Sequence, residues 1–423
     1  MSLNELISVS VFIFTLLVIT LEKVRREIAA LLGGGIVIVL GIFPQEEAFH
    51  YIDLNTIGLL LGMMLVAGVL KETGLFEYLA IKAVKLGKGN AWAILMTLSW
   101  ATAVVSALVD NVTTVLLIAP IALSIAEIMK IDPLPYLYSI VFASNIGGTA
   151  TLIGDPPNII IGSFARLSFA DFLFNLTPIV LIIMLSLPLS IRIFFGKISI
   201  PRESWNVVSR IEETSLIKDT KFLKYKVAIL LGIIVAFCFH SVIGLEAATI
   251  AVLGGMAMLI LCGKEAERII RESVELPTLL FFAGFFIIVG ALDYSGVIRR
   301  LGSAFISLVG DKQFLAANVL LWGSGFASAF IDNIPYTATM VYFVNDLIHT
   351  AHFSPAFWWV LALGACLGGN GTLIGASANI VVASMTDRAG YRIRFVDFLK
   401  VGMFTMVLSL ILSDIYIALR YFM

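Results

Sequence analysis

Charged residues are scarce in this chain of 423 residues, where Asp, Glu, Lys and Arg make up 13%, against about 25% in typical soluble domains. Cysteine and histidine are rarer still, with three and four residues. The cysteines stand far apart in apolar sequence, which excludes a disulfide framework. The sequence has no nucleophile–base constellation and no metal-binding motif, so it does not indicate an enzyme. It also has no basic patch of the kind that binds nucleic acid.

Apolar residues are abundant and occur in long runs. They make up 60% of the chain, and the mean hydropathy is +1.01. Several runs reach the roughly 20 residues that a helix needs to cross a bilayer. The sequence therefore predicts an all-α polytopic membrane protein with ten transmembrane helices and two re-entrant hairpins.

One polar pattern occurs twice within this apolar sequence. Asp110 recurs as Asp332, an offset of 222, and Asn158 recurs as Asn379, an offset of 221. The pattern predicts two repeats, residues 1–196 and 227–423, joined by a polar linker at 197–226. Each repeat is predicted to have five crossings and one hairpin. Five is an odd number, so the second repeat is predicted to be inverted in the membrane, as in secondary transporters.

Two kinds of irregular segment are predicted in each repeat. Residues 91–129 and 314–348 are too long for one span and too short for two, which indicates hairpins of half-length helices that meet at mid-membrane. Residues 136–165 and 356–385 are interrupted by glycine, and the first also by a Pro-Pro pair, which predicts broken helices. Irregular backbone at membrane depth is tolerated where protein or a water-filled cavity surrounds it.

The distribution of Lys and Arg predicts the orientation. With the N-terminus outside, 23 of the 28 basic residues fall on cytoplasmic segments, including the linker. The two hairpin tips then approach each other from opposite faces. We expect an integral membrane protein of a prokaryotic inner membrane.

The hairpin tips carry the strongest candidates for ion binding. Asp110 and Asp332 lie at membrane depth, where an ionisable side chain is usually functional, so we expect them to bind a cation or a proton. Helix capping is the alternative, because Asp is a good N-cap. With the neighbouring Asn111 and Asn333 they form a candidate Na⁺ site.

The broken spans supply further candidates through polar side chains and glycine-rich backbone, whose carbonyl oxygens can face inward. Tight helix packing is the alternative explanation of the glycines. Asp155 has Ala376 as its repeat partner and is either a helix cap or a proton carrier. Since neither polar core holds Lys or Arg, an anion would need helix N-termini, amide donors or a bound cation. The candidate ion- and substrate-binding residues are Asp110, Asn111, Thr113, Asn145, Gly148, Thr149, Thr151, Asp155, Asn158, Asp332, Asn333, Gly369, Asn370, Thr372 and Asn379.

These motifs resemble the ion transporter superfamily, in particular its arsenite-permease/NhaD branch and the members of the melanosomal P protein (pink-eyed dilution) type. The resemblance extends over nearly the whole chain. It rests on Asp110–Thr114, Asn145–Gly148, Gly154–Asn158, Asp332–Pro335 and Gly364–Asn379. It implies a homodimer in which each protomer has a scaffold domain and a transport domain that moves like an elevator. It also implies that the tips and the broken-span loops carry ions and substrate.

The expected function is therefore a secondary active transporter, coupled to Na⁺ or H⁺, that moves a small inorganic ion or an organic anion. Three alternatives stay open: a Na⁺/H⁺ antiporter, a Na⁺-coupled dicarboxylate or citrate transporter, and an anion channel. NhaD-type antiporters share the Asp-Asn tips, whereas bacterial dicarboxylate transporters of the superfamily have Ser-Asn-Thr there. Apart from Na⁺ we expect no cofactor, and the expected partners are the small substrate, the bilayer and a second copy of the chain.

Overall fold

The computed structural model describes residues 2–21, 23–198, 200, 202–218 and 222–423, with residues 202–204 and 241 described as backbone only. Helices form the regular structure of these ranges, and no β-strand occurs in them. The first half contains α1 Leu3–Thr20, α2 Arg26–Val39, α3 Gln45–His50, α4 Leu54–Glu72, α5 Leu75–Leu86, α6 Ala91–Ser106, α7 Asn111–Met129, α8 Leu134–Gly148, α9 Pro156–Ala165 and α10 Phe169–Phe195.

The second half repeats this order after α11 in the linker. Its helices are α11 Arg202–Ser209, α12 Leu223–Ile243, α13 Ala247–Ile260, α14 Ala266–Ser273, α15 Leu276–Tyr294, α16 Val297–Val309, α17 Gln313–Phe330, α18 Asn333–Thr350, α19 Phe357–Gly368, α20 Ser377–Arg388 and α21 Phe395–Ile417. The helix pairs α6–α7 and α17–α18 lie at the positions of the two predicted hairpins. The predicted breaks separate α8 from α9 and α19 from α20.

Seven helices in the described ranges are long and apolar enough to cross a membrane. This confirms an all-helical polytopic membrane protein, while the division into ten spans and two re-entrant hairpins stays a prediction. The prediction that the hairpin arms are half-length helices is wrong. The arms α6, α7, α17 and α18 have 16, 19, 18 and 18 residues. At about 1.5 Å per residue they are roughly 24–29 Å long.

The helices form two groups in which the halves interlock. We call α1, α2, α4, α12, α13 and α15 the flank bundle, and α6–α10 with α17–α21 the hairpin bundle. In the flank bundle, α2 packs on α15 while its repeat counterpart α13 packs on α4. In the hairpin bundle, α7 packs on α20 while α18 packs on α9. These reciprocal pairs are what two copies of one unit related by a pseudo-twofold axis produce.

Small residues bring the flank helices into backbone contact. A methyl group at Gly62 of α4 would lie 2.4 Å from the carbonyl carbon of Ala251 in α13. At the equivalent position of the second half, a methyl group at Gly284 of α15 would lie 2.6 Å from the carbonyl carbon of Ala30 in α2. Close approach through small residues is a common way for helices to associate in lipid, where burial of apolar surface gives little driving force.

The linker lies along the first half. Helix α11 packs on α7, and the backbone N–H of Lys218 donates to the carbonyl oxygen of Thr73 at 3.0 Å. Lys85 of α5 forms an ion pair with Glu213 of the linker. The hydrogen bond from Lys85 lowers the pKa of the Glu213 carboxyl below its ordinary value. The linker is therefore attached to the first half by polar contacts.

Candidate functional site

Each hairpin turns at an aspartate that caps the outgoing arm. Asp110 Oδ1 accepts a hydrogen bond from the backbone N–H of Thr113 at 2.9 Å, and Asp332 Oδ1 accepts one from Ile334 at 3.0 Å. The capping role that the sequence left open is thus the role these carboxylates have in this conformation. Among the described residues, every ion pair lies elsewhere.

The two tips meet at Asp155, in the first broken span. Asn111 Nδ2 donates to Asp155 Oδ1 at 3.2 Å, and Asn333 Nδ2 donates to the same oxygen at 3.3 Å. Asp155 is fully buried, and both asparagines are 3% exposed. Although Asp155 occupies the N-cap position of α9, its side chain makes no capping bond, so the capping interpretation of this residue is wrong. Its carboxylate is directed at the tips instead.

Asn145 connects this junction to the second broken span. Its Oδ1 accepts from Asn111 Nδ2 at 3.1 Å, and its Nδ2 donates to Asn370 Oδ1 and Asn379 Oδ1 at 3.0 Å each. Asn370 Nδ2 is a buried donor with no partner in the described part of the chain. These hydrogen bonds therefore join Asn111, Asn145, Asn333, Asn370 and Asn379 into one continuous network with Asp155.

The loops at the breaks close onto two of these amides. Asn158 Nδ2 lies 3.1 Å from the carbonyl oxygen of Thr149 and 2.8 Å from that of Thr151. Asn379 Nδ2 lies 2.7 Å from the carbonyl oxygen of Gly369 and 2.8 Å from that of Thr372. Each of these loop carbonyls therefore already accepts a hydrogen bond from the chain.

The threonine hydroxyls attach the broken spans to the hairpins. Thr151 Oγ1 donates to the carbonyl oxygen of Ala107, and Thr372 Oγ1 donates to that of Ala329, its repeat counterpart. Thr149 Oγ1 instead donates to the backbone carbonyl oxygen of Asn145, one turn earlier in α8, at 2.9 Å. These three candidates hold the loops in place, and their hydroxyls do not point freely at a ligand.

Glycine gives the breaks their close packing. A methyl group at Gly148 would lie 2.5 Å from the carbonyl oxygen of Gly154. A methyl group at Gly369 would lie 3.2 Å from the carbonyl oxygen of Gly375. The two ends of each break therefore nearly touch, which brings Asp155 and its counterpart Ala376 to the centre of the hairpin bundle.

A cavity of about 120 Å³ reaches this centre from one face of the protein. Its inner part is lined by the tip residues Asp110, Asn111, Thr113 and Asn333, and its rim includes the exposed side chains of Lys71, Glu272 and Glu275. Lys71 lies at the end of α4, Glu272 in α14 and Glu275 directly before α15, on the side that the Lys/Arg distribution predicts to be cytoplasmic. The amides that contact Asp155 are thus reachable from that side.

Arg26 and Ser377 are two residues of the cavity wall that the sequence did not indicate. Arg26, the first residue of α2, lines the cavity and donates to Ser377 Oγ at 3.1 Å. The expectation that no Lys or Arg reaches the polar core is therefore wrong. In the sequence Arg26 is one of several flanking basic residues, and only the fold brings the start of α2 close to the start of α20.

The chemistry of the site follows from an uneven balance of charge. Asp155 accepts hydrogen bonds from amide groups but pairs with no cationic side chain in the described ranges. No cluster of three His, Cys, Asp or Glu residues able to hold a metal occurs there either. The oxygen atoms around the junction belong to carboxylate and amide groups, and such oxygens suit hard cations better than transition metals.

Comparison with known proteins identifies the family. Residues 16–364 match the family model described as "CitMHS: Citrate transporter". An uncharacterized transporter of Mycobacterium tuberculosis is 40% identical over 99% of both chains, and the 46 kDa membrane protein of Mycobacterium leprae is 42% identical over 99% of both. Human P protein is 33% identical over 94% of this chain and 58% of its own length. This confirms the resemblance to the P protein type.

A solved structure supports the fold. The crystal structure of the Alcanivorax borkumensis YdaH transporter, described as having an unusual topology, matches with a TM-score of 0.59 at 14% identity. The match covers 88% of this chain and 87% of that one. Together with the family match and the full-length relatives, it indicates an integral membrane transporter and not an enzyme. The chain belongs to the CitMHS citrate transporter family of the ion transporter superfamily.

Proposed function

We propose that this protein is a secondary active transporter that couples movement of a small organic anion to Na⁺ or H⁺ by elevator-type alternating access. The observation that carries this proposal is the position of Asp155. One buried carboxylate lies between the tips of both hairpins and accepts a hydrogen bond from each. A charge change at this single residue acts on both halves at once.

The energetic argument starts from the cost of the charge. A buried carboxylate loses several kcal/mol of solvation free energy unless charged or polar partners replace the water. The amides of Asn111 and Asn333 replace part of it, and a bound proton or Na⁺ would replace the rest. Binding of either would strengthen the junction between the tips, and release would weaken it. This links occupancy of a cation site to the packing of the hairpin bundle.

The cavity favours an anionic cargo. The guanidinium of Arg26 lines it, and its N–H groups beyond the two that bind Ser377 and Thr278 can donate to a carboxylate. The family is described as one of citrate transporters, which supports the same class of substrate. Na⁺/H⁺ antiport is the second candidate, because the tip carboxylates of Asp110 and Asp332 give the site cation-binding groups beyond Asp155.

Orientation and assembly complete the proposal. The cavity opens at the face where basic residues are concentrated, so we assign this conformation as inward-open in a prokaryotic inner membrane, with the N-terminus outside. The flank bundle is the scaffold, and the hairpin bundle moves against it. A homodimer follows from the family resemblance, and cross-linking in native membranes tests it.

The test is gradient-driven flux in proteoliposomes that contain the wild-type protein, Asp155→Asn or Asp387→Asn. Citrate and smaller carboxylates are offered under imposed Na⁺ or pH gradients, and Na⁺/H⁺ exchange is followed with a pH dye. Asp387 is an exposed residue of α20 and serves as the matched control. We expect Asp155→Asn to lose coupled flux at least about 100-fold, or 2.7 kcal/mol, and Asp387→Asn to retain it.

Coupled flux that survives Asp155→Asn within about twofold would refute the role of this carboxylate in coupling. Wild-type flux that follows only the gradient of the cargo, at rates above carrier turnover, would instead identify an anion channel. Exchange of Na⁺ for H⁺ without any transported anion would establish the antiporter.

A further inference from the structure

Arg26 joins the flank bundle to the hairpin bundle. The guanidinium of Arg26 donates from Nη1 to Ser377 Oγ and from Nη2 to Thr278 Oγ1, at 3.1 Å each. Its Cζ also lies 5.6 Å from the centre of the Phe281 ring. Thr278 and Phe281 belong to α15 of the flank bundle, while Ser377 begins α20 of the hairpin bundle. Arg26 is therefore fixed by its own bundle and reaches across to the other.

Ser377 passes this contact on to the second tip. Its hydroxyl donates to Asp332 Oδ2 at 3.3 Å, while the same oxygen accepts from Arg26. A hydroxyl can donate once and accept as well, so the chain of bonds is chemically consistent. It runs from a cation through a neutral hydroxyl to an anion, an arrangement in which charge at either end strengthens both bonds.

The same contact separates two cavities. Arg26 and Ser377 line the cavity that leads to the tips, and they also line a second cavity of about 240 Å³ bounded by Leu16 of α1, Phe330 and Pro335. Asp332 faces the second cavity, whereas Asn333 faces the first. Opening the Arg26–Ser377 contact would join the two spaces beside the second tip.

The first half has no such contact. With the offset of 221 that relates the broken spans and the α2–α13 pair, the counterparts of Arg26 and Ser377 are Ala247 and Pro156. Neither has a side chain that can donate a hydrogen bond. Consequently, no guanidinium at the equivalent position is linked through a hydroxyl to Asp110, the counterpart of Asp332. The contact is specific to one tip.

We infer that Arg26 is a latch: a positioning residue that holds the second hairpin tip against the flank bundle and thereby stabilises the open-cavity conformation. The inference rests on the proposed alternating access, since a latch needs two conformations to choose between. Movement of the hairpin bundle past the flank bundle must break the Arg26–Ser377 bond. A cation bound at Asp332 weakens the latch, because it competes with Ser377 for the carboxylate and repels the guanidinium.

The test measures the conformation directly and needs no transport. Met64 of α4 lines the cavity, so Met64→Cys in a background without the native cysteines reports on its opening. A membrane-impermeant maleimide labels it from the cytoplasmic side in proteoliposomes of defined orientation. We expect Arg26→Gln to lower the labelling rate roughly tenfold, a shift of about 1.4 kcal/mol between the two conformations. Arg25→Gln is the matched control, because the neighbouring Arg25 side chain is 79% exposed.

Two further variants keep the test decisive if Arg26→Gln folds poorly. Ser377→Ala removes the acceptor and should slow labelling in the same direction, and the double variant should be no slower than the slower single one, since both break one contact. Unchanged labelling in Arg26→Gln and Ser377→Ala, or an equal effect of Arg25→Gln, would overturn the latch. Because labelling is independent of coupling, the latch can stand when the Asp155 test fails, and it can fail when that test succeeds.

Discussion

The packing of the flank bundle gives the most quantitative prediction. A methyl group at Gly62 would lie 2.4 Å from the carbonyl carbon of Ala251 and 2.5 Å from the nitrogen of Val252. Carbon atoms in contact prefer about 3.5–4.0 Å. Since both opposing atoms belong to the backbone of α13, they cannot rotate away. Gly62→Ala must therefore push α4 and α13 apart by about 1 Å, in the range where overpacking costs about 1–3 kcal/mol.

The matched control is Gly35→Ala, on the exposed face of α2. No atom lies within 4 Å of a methyl group there. Replacing Gly by Ala inside a helix is favourable by about 1 kcal/mol in both variants. The difference between them therefore isolates the packing cost. The repeat predicts that Gly284→Ala behaves like Gly62→Ala, because its methyl group would lie 2.6 Å from backbone atoms of α2.

The assay is the midpoint of unfolding of the purified protein in mild detergent, followed by loss of the monodisperse fraction on heating. We expect both buried variants to unfold several degrees below wild type and Gly35→Ala to unfold at or above it. Equal midpoints for Gly62→Ala and Gly35→Ala would show that the close α4–α13 contact is not present in the folded protein. A loss in Gly62→Ala alone would contradict the symmetry of the two crossings.

Two smaller predictions concern the hairpin bundle. Asn379→Ala removes two buried hydrogen bonds to loop carbonyls, each unpaired acceptor costing about 1–3 kcal/mol. Its unfolding midpoint should fall, whereas that of Asn206→Ala, an exposed position of α11, should not, and equal midpoints would contradict the network. Cys366 is fully buried, so a protein in which Cys238 and Cys262 are replaced by serine should react with a polar maleimide only after denaturation. Rapid labelling of the folded protein would refute this burial.

Much of the helical framework could be predicted from the sequence, because a bilayer imposes a length on apolar runs. Segments 91–129 and 314–348, singled out by their length, correspond to the helix pairs α6–α7 and α17–α18. The breaks could also be predicted, because glycine and proline interrupt the hydrogen bonding of a helix locally. In both cases the determining residues are close together along the chain.

The centre of the site was harder to predict from the sequence, because it depends on contacts between residues that are far apart along the chain. The sequence marked Asp155 as a candidate, but its capping and proton-carrying roles were indistinguishable without the position of Asn333, which lies 178 residues away. The repeat pattern gave no further indication of the role of Asp155, because its repeat partner is Ala376. Arg26 was missed for the same reason: its partner Ser377 lies 351 residues away. Packing of the two halves, and no local pattern, brings these groups together.

The positions at which the halves differ are the ones that can favour one conformation of such a transporter over the other. If two inverted repeats were identical, the twofold axis would relate the inward-open and outward-open conformations. The two conformations would then have equal free energy, and neither would be favoured without ligand. Two differences between the repeats break this equality. The repeat counterpart of Asp155 is Ala376, and the counterparts of Arg26 and Ser377 are Ala247 and Pro156. Under the proposed mechanism the first half supplies the shared carboxylate and the flank bundle supplies a latch for the second tip. These side chains then contribute to the free-energy difference between the two conformations.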